Sequence, residues 1–154
     1  MAVSREETAW KCALLGHELL DDLDGVITAL RRIAASGGAV FALLAVEDEF
    51  FAIVRPVPGG ASLLLSDAVA ALDFDLAADV LDLLQVPIPE EDDVEDDVDP
   101  WPEGDLAVLA DFGLSEQEMR VIVNDVDLYP DEQLAIIAQR CGFGDQWTAL
   151  VERN

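Results

Sequence analysis

The sequence predicts an α+β fold: a largely antiparallel four-stranded sheet with two or three helices, then an acidic linker and a small C-terminal helical unit. Three observations lead there. Four apolar runs between Thr8 and Leu65 are separated by turn-forming residues, which is the mark of strands joined by hairpins. Apolar residues further on recur at helical spacing. Between the two regions, EEDDVEDDVD begins at Glu90 and PWPEG follows it. The expected organisation is a sheet domain over 1–88, an acidic Pro/Trp linker over 89–104, and a helical unit over 105–154 that docks on the sheet.

The first apolar run, TAWKCALLG (Thr8–Gly16), places Trp10, Cys12 and Leu14 on one face with a period of two, as a strand does. In DDLDGVITALRRIAASGG, residues Val26, Ile27, Leu30, Ile33 and Ala34 fall at helical spacing. Asp22 or Asp24 caps the start, Gly37-Gly38 ends it, and Arg31 and Arg32 face outward. AVFALLAV (Ala39–Val46), EDE and FFAIVRPV form two strands and a tight hairpin, PGG at Pro58–Gly60 is the next turn, and ASLLL (Ala61–Leu65) is the fourth strand. These strands are apolar on both faces, whereas a half-exposed antiparallel sheet alternates. The C-terminal segment or a second copy of the chain must therefore cover the second face.

SDAVAALDFDLAADVLDLLQ reads as an amphipathic helix with Leu72, Leu76, Val80 and Leu83 as its apolar stripe and Asp75, Asp79 and Asp82 opposite. VPIPE ends it, because proline removes a donor and restricts its predecessor. From Pro89 to Gly104, self-repulsion predicts an extended chain. DLAVLADFG predicts a short helix ending at Gly113. LSEQEMRVIVNDV opens with Ser115 three residues before Glu118, a capping box, and carries the stripe Met119, Ile122, Val123 and Val126. YPDEQLAIIAQRCGFG puts Pro130 in a first turn and Gly142 past the end. GDQWTALVERN is a last short helix.

Composition sets the partner class. Acids number 33 and bases 8, for a net charge of −25, yet 52% of the 154 residues are hydrophobic. That apolar content supports a core, so the charge belongs on the surface and in the linker. Direct nucleic-acid binding is disfavoured because phosphate contacts need Lys and Arg, and an anionic membrane is disfavoured by the same repulsion. A basic protein is the complement; maintenance of solubility alone is the other reading of the charge. The N-terminal MAVSREETAWK has no apolar signal core, and no apolar run reaches the roughly 18 residues of a membrane span. The expected location is cytoplasmic.

No catalytic, cofactor or metal set emerges. In DDLDGVITALRR, Asp22 and Asp24 match a calcium loop ending at Gly25, but Leu20 and Arg31 stand at two ligand positions. Helix capping explains those aspartates. Cys12 and Cys141 are far apart and outside any CxxC pattern, so they are read as buried thiols. His17 is the sole histidine and has no constellation around it. The zinc deaminase signature is missing, as are phosphate-binding glycine loops. The last two helices lack the basic face of a DNA-reading pair. An extended linker does not hold carboxylates in the fixed geometry of a metal or glycosidase site. Its acids Glu90, Glu91, Asp92, Asp93, Glu95, Asp96, Asp97 and Asp99 remain as candidate partner-binding residues, with Trp101 as a candidate anchor. The alternative for Trp101 is packing on the protein's own surface.

Several segments, DEFFAIVRP, GGASLLLSDAVAALDFDLAADVLDLL, PWPEGDLAVLADFGLSEQEM and DLYPDEQLAIIAQRCGFGD, resemble the tRNA adenosine deaminase-associated proteins of actinobacteria. The resemblance runs from about Glu49 to Asp145; before Ala39 it rests on pattern only. It implies association with the enzyme that converts adenosine to inosine in tRNA, and carries over no catalytic residues. A non-enzymatic acidic binding protein with a tRNA adenosine deaminase as partner is the leading expectation. A nucleic-acid mimic that occupies a partner's basic site, and a structural homodimer joined through the apolar sheet, are the alternatives.

Overall fold

Strand pairing follows the hairpins. The computed structural model describes residues 1–6, 9–13, 22–34, 39–88, 102–125 and 127–152. Its sheet is antiparallel, with five strands and a two-residue sixth: β1 (Ala2–Glu6), β2 (Ala9–Ala13), β3 (Ala39–Val46), β4 (Phe50–Val57), β5 (Gly60–Leu65) and β6 (Glu103–Gly104). Their spatial order is β2-β1-β3-β4-β5-β6. The helices are α1 (Leu23–Ala34), α2 (Asp75–Leu84), α3 (Glu116–Val123), α4 (Pro130–Cys141) and α5 (Gly144–Glu152). The α+β class and the antiparallel sheet are those the sequence predicts.

The strand count is larger than four. β1, AVSRE, is too polar to announce itself. It is held by pairing on both sides, with Val3 opposite Cys12 of β2 and Phe41 of β3. β6 consists of the last two residues of the 89–104 segment, Glu103 and Gly104, laid against Leu65 and Leu64.

Two-sided apolarity has a direct cause: the sheet is the middle of three layers. Val40, Ala42 and Leu44 of β3 point to one face with Phe50, Ala52, Val54, Leu63 and Leu65, where α1 and α2 cover them. Phe41 and Leu43 point to the other with Phe51, Ile53 and Leu64, covered by α3, α4, Phe143 and Trp147. Successive strand residues point to opposite faces, so β3 and β4 are buried throughout their centres. The chain's own C-terminal helices, rather than a second copy, occupy the second face.

Local signals place the joints. Glu47 and Asp48 both take positive φ (48° and 59°) in the β3–β4 turn, as the mirror-image hairpin turn requires. Pro58 and Gly59 turn β4 into β5, with Gly59 at φ 82°. Ser66 extends the β4–β5 ladder: its Oγ accepts from Phe51 N–H at 2.8 Å and its own N–H donates to Phe51 O at 2.9 Å. Ser115 caps α3 by accepting from Glu118 N–H, and Gly142 ends α4 at φ 105°.

Two helical segments depart from expectation. SDAVAALDFDLAADVLDLLQ is split into a 3-10 turn over Ala68–Leu72 and α2, and Asp67 caps the former. The buried side of α2 is Leu76, Ala77, Val80 and Leu81, while Leu83 is 48% exposed. DLAVLADFG forms turns and a 3-10 turn at Ala110–Phe112 rather than an α-helix, ending at Gly113 with φ 98°. The side chains of Asp105 and Arg55 take up its backbone groups: Asp105 Oδ1 accepts from Ala107 N–H and Arg55 Nη1 donates to Val108 O.

Candidate interaction surface

The partner-binding residues proposed from the sequence, Glu90, Glu91, Asp92, Asp93, Glu95, Asp96, Asp97, Asp99 and Trp101, lie outside the described residues, as does His17. Among the described residues, carboxylates from two elements converge where α1 meets α2. Asp22 and Asp24 sit at the start of α1. Asp22 Oδ1 accepts from Gly25 N–H at 3.0 Å, so this carboxylate caps the helix as the sequence indicates. Asp75, Asp79 and Asp82 project from the solvent side of α2, since its opposite side is locked into the core by Leu76, Val80 and Leu81.

Four of these five acids share one cleft of about 140 Å³, lined by Asp22, Asp24, Asp79 and Asp82 with Leu23 and Leu83. Partial desolvation, followed by the charges of Asp75, Asp24, Asp82 and Asp22, holds the Asp79 carboxyl above the usual carboxylate range. The cleft offers acceptors and negative charge. Among the described residues, its lining includes no histidine, hydroxyl or cation. No group of three or more His, Cys, Asp or Glu among the described residues is placed to hold a metal.

Several of the cations are used internally. Arg55 grips Asp111 through two hydrogen bonds, at 2.6 and 2.7 Å. Arg5 lies over the rings of Trp10 and Phe112, at 5.2 and 5.9 Å from their centroids. Arg31 Nη2 donates to Gly60 O, and Arg120 pairs with Glu116. The positive charge of these four is thus directed at the protein itself, and among the described residues lining the cleft of the α1 and α2 acids there is no cation.

Burial pushes Cys141 up to about 12 and Cys12 up to about 11, so both remain thiols at neutral pH. Among the described residues, no helix is long and apolar enough to cross a membrane.

Sequence reading identified Asp22 and Asp24 as caps and Asp75, Asp79 and Asp82 as an acidic face. It missed their convergence, because the approach of α1 to α2 is set by packing over β3, β4 and β5. The spacing of acids along α2 was the one available signal.

The fold and its surface define a three-layer α+β protein with an anionic helical face. The chain belongs to the Rv3753c-like tRNA adenosine deaminase-associated protein family, whose sequence pattern it matches over residues 1–144. It is 52% identical over 153 residues to Protein Rv3753c of Mycobacterium tuberculosis, covering 99% of this chain and 87% of that protein. No solved structure matches it. The match bears out the resemblance read from the sequence and extends it through the region before Ala39. The family is named as associated with the deaminase, not as the deaminase itself.

Proposed function

We propose that this is a non-enzymatic accessory protein that binds a basic protein partner through its acidic surface, and that the partner is a cytoplasmic tRNA adenosine deaminase. The observation that carries the reading is the cleft shared by Asp22, Asp24, Asp79 and Asp82, whose lining among the described residues includes no cation. An enzyme that handles tRNA needs Lys and Arg to meet phosphates, and such a face complements carboxylates. The family description supplies the particular enzyme, and the net charge of −25 supplies long-range attraction. The linker acids Glu90 to Asp99 add to the same field.

The test is calorimetric titration of the full chain with purified tRNA adenosine deaminase at about 50 and about 200 mM salt, where exposed charges are screened to different extents. Binding at low salt that weakens at higher salt is expected. Absence of binding at low salt overturns the reading. Adding tRNA separates two modes: competition assigns the acidic surface to the enzyme's RNA-binding face, and simultaneous binding assigns it to a separate basic patch. Removal of residues 90–101, which spares Glu103 and Gly104 of β6, measures the linker's share.

A further inference from the structure

The helical layer carries a second surface of different chemistry. α3 and α4 lie side by side, tied by Gln133 Nε2, which donates to Ile122 O at 2.8 Å. On their solvent side is a groove of about 260 Å³ whose apolar lining is Val121, Ile122, Leu128 and Ile136. Val121 is 72% exposed. Isolated exposed apolar residues are ordinary, but several lining one concavity mark a contact site. Glu118 of α3 and Asp125 just past its end also line it, and Arg140 is the one cation among its described lining residues. Among the described residues, none of these three side chains belongs to an ion pair, and Asp125 Oδ1 accepts from Asp127 N–H at 3.1 Å, which leaves its carboxylate charge facing outward from a turn.

We propose that this groove receives a short amphipathic helix of the protein partner, with two apolar side chains about one turn apart and Lys or Arg beside them. The inference rests on the accessory-protein reading and names the docking site. At about 260 Å³ the groove falls just below the roughly 300–1,000 Å³ of small-molecule pockets, a size that suits side chains entering from a helix. A furrow between two adjacent helices is also the shape into which a third helix packs. Charge selects the occupant. Glu118 and Asp125 attract ammonium or guanidinium groups flanking the anchors, while Arg140 fixes polarity by accepting a carboxylate or a helix C-terminus. A second copy of this chain is the wrong occupant, since two bodies of net charge −25 repel.

The experiment follows the methyl resonances of Val121, Ile122, Leu128 and Ile136 in the full chain. The probes are tRNA adenosine deaminase, a helical Leu/Lys peptide, and a Gln/Lys peptide of equal charge. The enzyme and the Leu/Lys peptide shift these methyls; the Gln/Lys peptide does not. Val121→Lys keeps helix propensity at an exposed position and weakens both interactions by about tenfold or more, as loss of an anchor does. Asp79→Asn/Asp82→Asn, in the other cleft, leaves the peptide shifts intact. If the enzyme binds but Val121→Lys binds equally well, the groove is not the docking site and the accessory reading stands. If the enzyme fails to bind while the Leu/Lys peptide still fills the groove, the choice of partner falls and the groove stands. Equal shifts from both peptides, or none from either, overturn the groove proposal. Groove shifts that depend on protein concentration alone assign it to self-association and overturn it too.

Discussion

Arg55 of β4 and Asp111 of the turn before α3 are joined by a two-pronged ion pair, with Nη1–Oδ1 at 2.6 Å and Nη2–Oδ2 at 2.7 Å. The same guanidinium lies over Phe112 at 4.7 Å and donates to Val108 O at 2.9 Å. One side chain therefore fastens the irregular Leu106–Phe112 segment to the sheet. The pair is partly screened, with the Asp111 side chain 56% exposed. Arg55→Met is expected to cost about 1–2 kcal/mol, mostly through the unsatisfied Val108 carbonyl and lost ring contact, and Asp111→Asn about 0.5–1 kcal/mol. The hydrogen bond from Arg55, opposed by partial desolvation and helped by the charge, holds the Asp111 carboxyl below its usual range. Its contribution is present above the unfolded pKa of about 3.9 and is lost as pH falls through the lower folded value. Urea titrations at several pH values check this: the gap between wild type and Asp111→Asn should close in acid.

Asp79 predicts the opposite slope. Its folded pKa is raised, so its ionisation opposes folding: the stabilising term is full below about pH 3.9 and is lost as pH rises through the folded value. Asp79→Asn should therefore stabilise the protein at pH 7, by less than about 1 kcal/mol because the site is exposed, and have no effect in strong acid. A variant less stable than wild type at pH 7 would contradict the electrostatic account of the cleft. Calorimetric melting at low salt is the measurement.

Leu81 and Leu83 test how α2 is seated. Leu81 is fully buried and Leu83 is 48% exposed. Leu81→Ala should cost about 2–5 kcal/mol, whereas Leu83→Ala should stay within about 0.5 kcal/mol. Chemical denaturation with unchanged m-values decides it. Comparable losses at both positions would mean that α2 is rotated about its axis.

The same pair shows what the sequence could carry. The stripe Leu72, Leu76, Val80, Leu83 obeys helical spacing, but it assumed one continuous helix. Asp67 capping a separate 3-10 turn breaks the phase, and α2 then buries Leu76, Ala77, Val80 and Leu81. β3, β4 and β5 were legible because apolar side chains on both faces admit few arrangements other than the middle of a sandwich. β1 was not, since Val3 and Ala2 become core residues only after pairing with β3. Glu116–Val123 was legible at its start through Ser115, and Pro130–Cys141 at both ends through Pro130 and Gly142. Of the acidic cleft, each half was visible and the junction was not. The α3–α4 groove was hidden for the same reason, because Val121 and Ile136 lie 15 positions apart and meet only in the folded chain.

Gly104 decides whether the chain can return to the sheet after the acidic segment. It pairs with Leu64 at φ 108°, and Asp105 then fixes the return: its N–H donates to Leu63 O at 2.8 Å and its Oδ2 accepts from Ser62 Oγ at 3.1 Å. A Cβ at Gly104 would run into the Leu63 carbonyl oxygen and stand 3.0 Å from its carbon and 3.1 Å from Leu64 Cα. Those are backbone atoms in the buried half of β5, Leu63–Leu65, and cannot swing aside. Gly104→Ala thus combines left-handed strain with a collision, and is expected to cost about 2–3 kcal/mol. Gly60, at the other end of β5, has nothing within 4 Å of a built Cβ and no positive φ, so Gly60→Ala should change stability by no more than about 0.5 kcal/mol. Hydrogen exchange adds a local readout: Gly104→Ala should expose the Asp105 amide long before the β3 and β4 amides. Equal stability of the two variants would show that β6 is not held to β5 in solution.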